Sequence, residues 1–201
     1  MKLYVNRRSP NCHRALITAR LVGLPIEIVD LDMGNKAHLE PWYLAINPNH
    51  KVPALQDGAF SLWESNAISI YLANKAERRD LWPTDAAAQA DVARWMMWTH
   101  THWNLALGPI VFERVFKKAF GMGEPDESVV AGKMGEWHDV ARLVDAHLEG
   151  KEWLATGQLT LADVSLGASL MYAEPAAIPF EGHPRLAAWF ARVSALPAWQ
   201  S

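Results

Sequence analysis

The chain has 201 residues, half of them apolar, a net charge of −3, and a single cysteine beside eight histidines and ten tryptophans. No apolar run reaches the roughly 20 residues of a membrane-spanning helix, and Met1-Lys2 lead straight into a strand pattern, so a soluble, cytoplasmic protein with no membrane partner is expected. Scattered Lys and Arg argue against a nucleic-acid surface, one cysteine excludes an internal disulfide, and without a His-x-x-x-His pair or a cysteine cluster no metal site is expected.

KLYV (2–5) reads as a strand. Residues from about Pro10 to Gly23 read as a helix, with Cys12, Ala15, Leu16, Ala19 and Val22 on one stripe, Pro10 near its start and Gly23 at its end. IEIVDLD (26–32) is a second strand. After a looser segment, VPALQ and AFSLW form two short strands joined through Asp57-Gly58, and Ser65 opens the helix NAISIYLANKA. The order strand, helix, strand, hairpin, helix describes an α/β unit with a mixed sheet.

From residue 86 onward no strand pattern appears. Residues 86–120 are a long helical pattern with a kink expected at Gly108-Pro109, where proline removes a backbone donor. Residues 128–148 form another helix, with Gly150 placed to end it. Thr160-x-x-Asp163 is a capping-box pattern ahead of an apolar run, read as structural, and HPRLAAWFARVSAL is a last helix stopped by Pro197. The expected division is a small α/β domain, 1–78, and an all-helical domain, 86–201.

Three short stretches of the first domain carry possible chemistry: SPNC (9–12), NPNHKVPAL (47–55) and WESNAI (63–68). A helix N-terminus attracts anions, so Ser65 as a cap suits a carboxylate, and the Glu64 charge beside it suits an ammonium. An amino-acid head group would satisfy both. The bland alternative is a plain N-cap and a solvated acid. Pro53 at a strand start is equally compatible with a structural role or with a Val52 backbone left to pair with a peptide ligand.

Taken together, SPxC, NPxHxVPxL, ESxAIxxYL and the TxAD of the helical half resemble a soluble, cytosolic-type glutathione transferase over nearly the whole chain. The likeness is greatest to Ser-type delta, theta and bacterial members. It implies a thioredoxin-like N-terminal domain with a four-stranded mixed sheet, then an all-α domain contributing the electrophile site. It further implies a cis Val52-Pro53 bond, with Val52 pairing its backbone to the cysteine of glutathione. Glu64 and Ser65 match the residues that hold the γ-glutamyl end. His38 and His50 match positions near the glycine carboxylate, with Lys51 an added candidate. Asn66 stands where many relatives have Arg, which removes a charge there. Glutathione is then a co-substrate, a small apolar electrophile the second substrate, and a homodimer the expected assembly.

Such an enzyme must ionise the bound thiol. At a pKa of about 8.5 only on the order of 3 % is thiolate at pH 7, and lowering it two units takes about 2.7 kcal/mol. One hydrogen bond to a charged acceptor supplies roughly 1.5–3 kcal/mol, so Ser9 as a neutral donor suffices with help from the helix that follows. Cys12 is the rival. In thiol-exchange relatives the reactive cysteine stands at the position of Ser9, whereas Cys12 falls on the apolar stripe as a small buried hydrophobe. A near-site redox role for Cys12, a glutathione-dependent isomerase or dehalogenase, and a non-catalytic binding protein stand as alternatives. Trp95, Trp98, His102 and Leu105 form one aromatic and apolar stripe, which serves as core, subunit contact or pocket wall.

Overall fold

A computed structural model describes residues 1–200. It divides into two compact units, Met1–Thr84 together with the chain end from Pro197, and Asp85–Leu196. The expected 78/86 division therefore shifts at the C-terminus. The last residues leave the helical part because Arg20 Nη1 donates to the Ala198 carbonyl at 2.9 Å and the Trp199 ring packs edge-on against His13.

In the first unit, β1 (Lys2–Val5), α1 (Pro10–Val22) and β2 (Glu27–Asp30) form the strand-helix-strand half. β3 (Ala54–Asp57), β4 (Phe60–Trp63) and α3 (Ser65–Lys75) form the other half. Among the described residues the strands make a four-stranded sheet in the order β2-β1-β3-β4, with β1 parallel to β2 and the other pairings antiparallel. Alternation along β1 explains its central place. Leu3 and Val5 join Cys12, Ala15 and Leu16 of α1 and Ile68 and Leu72 of α3 on one face, while Tyr4 faces Leu31, Tyr43, Ile46 and Ala54 on the other. This thioredoxin-like unit is the N-terminal part of the expected fold.

Local differences from the sequence reading have physical causes. The segment read as loose contains a 3-10 turn, Ala37–Leu39, and a short helix, α2 (Pro41–Leu44), whose Tyr43 is buried against the sheet. The hairpin turns at Gly58-Ala59 rather than Asp57-Gly58. Asp57 stays in the ladder opposite Phe60, held by Tyr71 Oη at 2.6 Å and by Lys75, and Gly58 supplies the positive φ of 61° that the tight turn demands. Ser65 is the first helical residue of α3 and not its cap. Glu64 takes the cap position with φ 73° and makes no side-chain cap bond.

The second unit, Asp85–Leu196, is built of helices joined by turns and loops, with no strand among the described residues. α4 (Ala86–Trp98), a π-helical turn (Thr99–Trp103), α5 (Asn104–Val111), a second π-helical turn (Phe112–Phe116) and α6 (Lys117–Ala119) follow one another without a break. Helix thus continues through Pro109, where a kink was expected. The backbone widens into the second π turn three residues later, and the Phe112 N–H is shared between the carbonyls of Gly108 and Pro109. The tryptophan stripe is not uniform. Trp95 is core, Trp98 half-buried and stacked on His102, and Leu105 62 % exposed, because the first π turn shifts the helical register between them.

α5 packs on α7 (Glu127–His147), α4 on α8 (Leu161–Ala168), and both α7 and α8 on α9 (Pro184–Ser194). Gly167 is needed where α8 meets α9, since a Cβ there would lie 2.7 Å from Val193 Cγ1. The Thr160–Asp163 box is formed, and Asp163 also accepts from Leu154 N and Trp189 Nε1 at 2.9 Å each. That makes it a buried bolt between α8, α9 and the chain before α8. No helix among the described residues is long and apolar enough to cross a membrane.

Candidate active site

An open recess of about 440 Å³, counting space out to its mouth, lies at one end of the sheet of the first unit. Its walls are Asn11 from α1, then Asn47, Asn49, Lys51, Val52 and Pro53 from the loop before β3, then Trp63, Glu64 and Ser65 from the β4–α3 junction.

The loop is built on Asn47, a buried residue. Its Nδ2 donates to the Lys51 carbonyl at 2.7 Å, and its Oδ1 accepts the Asn49 N–H at 3.0 Å. His50 turns the chain with φ 48° and returns its N–H to the Asn47 carbonyl at 3.0 Å. Tyr43 Oη donates to the same Lys51 carbonyl at 2.6 Å, and burial raises its phenol pKa, so it remains a donor at all ordinary pH. Lys51 is thereby clamped, and the cis Val52-Pro53 bond follows it. Pairing of β3 begins only at Ala54, opposite Tyr4 and Trp63, so the Val52 backbone lies at the recess ahead of the ladder.

Across the recess stands the N-terminus of α3. Ile68 N–H is the first to close the helical ladder, on the Glu64 carbonyl at 2.9 Å, and the helix end carries the partial positive charge of its aligned peptides. Glu64 is exposed beside it. Ser65 is 3 % exposed, and its Oγ accepts from Arg14 Nη1 at 2.7 Å. Arg14 is fully buried, and the same nitrogen donates to Asn11 Oδ1 at 2.8 Å. Burial pulls its pKa down to about 10 against the opposing charge of Glu64, which leaves it a cation at neutral pH.

Ser9 caps α1. Its Oγ accepts the Cys12 N–H at 3.4 Å, and its backbone is extended at φ −90°, ψ 124°. A hydroxyl that accepts a backbone N–H keeps its own proton to donate. Cys12 is sealed in the core, with its sulfur accepting the Asn6 N–H at 3.3 Å. Burial pushes its thiol up to about 11, outweighing the hydrogen bonds from the Asn6 backbone and the Ser9 side chain, so it is protonated at neutral pH.

The structure therefore gathers Lys51, Val52, Pro53, Glu64 and Ser65 around one recess. Ser9 is not one of its walls, although Asn11, two residues along, is. His38 sits half-buried on the 3-10 turn, with its Nδ1 buried and unbonded, while His50 is exposed. Neither lines the recess, and neither do Cys12 or Asn66, the second helical residue of α3. The sequence reading did not assign Asn11, Asn47, Asn49 or Trp63 to the site, although all four lie inside the three stretches. It also missed Arg14, whose signal is a charged residue at i+3 from Asn11 in the first turns of α1.

Comparison with known proteins accounts for both units. The glutathione S-transferase N-terminal domain model matches residues 1–74, and the C-terminal domain model matches residues 97–197. Theta-1 glutathione S-transferase of Mus musculus is 34 % identical over 97 % of this chain and 82 % of its own length. Glutathione S-transferase 3 of Zea mays is 36 % identical over the whole chain and 91 % of its own length. A solved structure of glutathione S-transferase-I bound with lactoylglutathione superposes with a TM-score of 0.91 at 30 % identity, covering 99 % of this chain and 96 % of that one. Fold, motif order and full-length similarity agree: the chain belongs to the glutathione S-transferase family.

Proposed function

We propose that this glutathione transferase binds glutathione in the recess of its first unit and adds the thiolate to an apolar electrophile, with Ser9 as the hydrogen-bond donor that keeps the sulfur ionised. The carrying observation is the convergence of Val52-Pro53, Glu64 and Ser65, far apart in sequence, on one recess beside a helix N-terminus. A backbone edge at Val52 suits the peptide of the cysteinyl residue. The Ser65 hydroxyl and the helix end suit a carboxylate, and Glu64 suits the ammonium on the same carbon. Lys51, His50 and His38 are assigned to the glycine end on the strength of the family resemblance.

The Ser9 hydroxyl, set at the start of α1, supports the donor role, and the core position of Cys12 supports treating it as packing and not as a thiol-exchange centre. Asn66 leaves the glutamyl carboxylate to Ser65 and the helix end. In the helical unit the exposed Leu105 and Phe112 are apolar candidates for contact with the electrophile, and exposed Phe60 and Met97 offer surface for a homodimer. A cytoplasmic detoxification role follows from the same reading.

The test is to follow glutathione consumption and product mass across a panel of flat organic electrophiles, with calorimetric binding in parallel. Net conjugate at a rate above the uncatalysed reaction is expected. Tight glutathione binding with no conjugate from any member would overturn conjugation in favour of a binding protein, and turnover without net conjugate would favour isomerisation.

A further inference from the structure

Arg14 is a fully buried cation that donates from one nitrogen to two recess residues, Asn11 Oδ1 at 2.8 Å and Ser65 Oγ at 2.7 Å. A guanidinium has donors and no acceptor, so both oxygens must face it. This fixes the polarity of each partner. The Ser65 hydroxyl is left with its proton to give, and the Asn11 amide turns its NH2 away from Arg14. A ligand in the recess therefore meets a donor at each of these two residues.

The same two helices are also tied at a second point that does not involve the Arg14 side chain. Thr18 Oγ1, one turn along α1, donates to Ser69 Oγ of α3 at 2.9 Å, and the apolar stripe of α1 packs Leu16 against Ile68 and Leu72.

We propose that Arg14 is a positioning residue that acts through Ser65 and Asn11, orienting both as donors to the α-carboxylate of the γ-glutamyl residue, and that Asn11 is thereby a further glutathione-binding residue. The proposal rests on the reading of the recess as the γ-glutamyl site. It explains how the carboxylate is held with Asn66 in place of a basic residue: the cation stands behind the donors, out of solvent, and hydrogen bonds to a charged group in such a setting are the strong ones.

The experiment compares two ligands by calorimetry on the full chain. One is S-methylglutathione, which has no thiolate. The other is the same molecule with 4-aminobutyrate in place of the γ-glutamyl residue, which lacks only the α-carboxylate. Asn11→Asp keeps an acceptor on Arg14, adds a countercharge to it, and puts an oxygen where the NH2 was. About tenfold weaker binding of S-methylglutathione is expected, with less than about threefold change for the analogue and an unchanged or raised Tm. Arg14→Met should give the same selective loss, and adding Ser65→Ala to it should cost little more than the larger single change.

Equal losses for both ligands, or S-methylglutathione binding unchanged or tightened by Asn11→Asp, would overturn the proposal. Asn11→Asp decides the matter even where Arg14→Met does not fold, since Arg14 stays in place. A wild-type protein that does not distinguish the two ligands would overturn the γ-glutamyl reading itself, and the positioning role with it.

Discussion

The Ser9 hydroxyl accepts the backbone N–H of Cys12 at 3.4 Å, while the Cys12 sulfur accepts the N–H of Asn6 at 3.3 Å on the buried side of the same turn. The two side chains are neighbours with opposite prospects. Ser9 caps the helix with a lone pair and retains a proton at a half-buried position, whereas Cys12 is fully buried in the core cluster that holds Leu3, Val5 and Leu55. Capping and thiolate stabilisation are thus compatible uses of one hydroxyl.

Ser9→Ala in a Cys12→Ala background is expected to raise the pKa of bound glutathione by about one to two units, the equivalent of one hydrogen bond to an anion. Ultraviolet thiolate absorbance of the bound ligand reads this directly, and conjugation at neutral pH should fall about tenfold. Loss of the cap also costs about 1 kcal/mol of stability, whereas Ser9→Thr should keep both functions. A bound pKa that does not respond to Ser9→Ala would remove Ser9 from the mechanism.

Cys12 should be inert while the protein is folded. Alkylating reagents at pH 8 are expected to label it only on unfolding, since burial holds the thiol near 11. The folded pKa lies above the ordinary 9.0, so the unfolded thiol ionises first and stability from this group is lost as pH rises through the window from about 9 to about 11. Prompt labelling of the native protein, or a ready mixed disulfide with oxidised glutathione, would contradict the packing role.

His13 makes the opposite prediction at low pH. It is 6 % exposed, its Nε2 is buried without a partner, and burial, then Arg20 and Arg14, lower its pKa from 6.5 to about 4. The unfolded imidazole therefore binds a proton that the folded one refuses. Stability is full above about 6.5 and declines as pH falls toward about 4, by up to about 3 kcal/mol. His13→Phe preserves a ring against Trp199 and should flatten this part of the curve in urea melts at pH 7 and 4.5. An unaltered pH dependence in that variant would assign the acid sensitivity to other groups, among them His183, whose burial also lowers its pKa.

Asp163 is expected to be a stability residue alone. Four donors converge on its carboxylate: the Leu154 and Thr160 N–H groups, Thr160 Oγ1 and Trp189 Nε1. Asp163→Asn places an NH2 among donors and Asp163→Ala leaves them all unsatisfied, and either change should cost about 3 kcal/mol or more in chemical denaturation. Glutathione affinity of the fraction that remains folded should be unchanged. A selective loss of binding at full stability would show that this network reaches the site.

Much of the fold was legible because its signals are local. Pro10 and Gly23 bracket α1, Thr160-x-x-Asp163 caps α8, and alternation in KLYV marks a central strand; each depends on residues within a turn or two of one another. The ordered motifs carried the family and named five of the nine recess walls. The misses have a different character. Asp57 stayed in the ladder because Tyr71 and Lys75, on the following helix, hold its carboxylate, and Ser65 gave up capping because Arg14 claims its oxygen. Helix passes through Pro109 and into a π turn three residues later, which no residue type announces.

What the sequence by itself determined is the list of elements and the chemical types available at the site: a hydroxyl before a helix, a Val-Pro step, an acid beside a serine. Helix caps, turn glycines and the apolar period act over a few residues, so linear order is enough to express them. Only the tertiary structure decided the company each group keeps. Folding put Cys12 in the core with its thiol protonated, and it made Arg14, which the sequence reading had not assigned, a buried cation shared by Asn11 and Ser65. Desolvation and hydrogen-bond polarity are set by neighbours that lie as far as 51 residues away, and those neighbours exist only once the chain has folded.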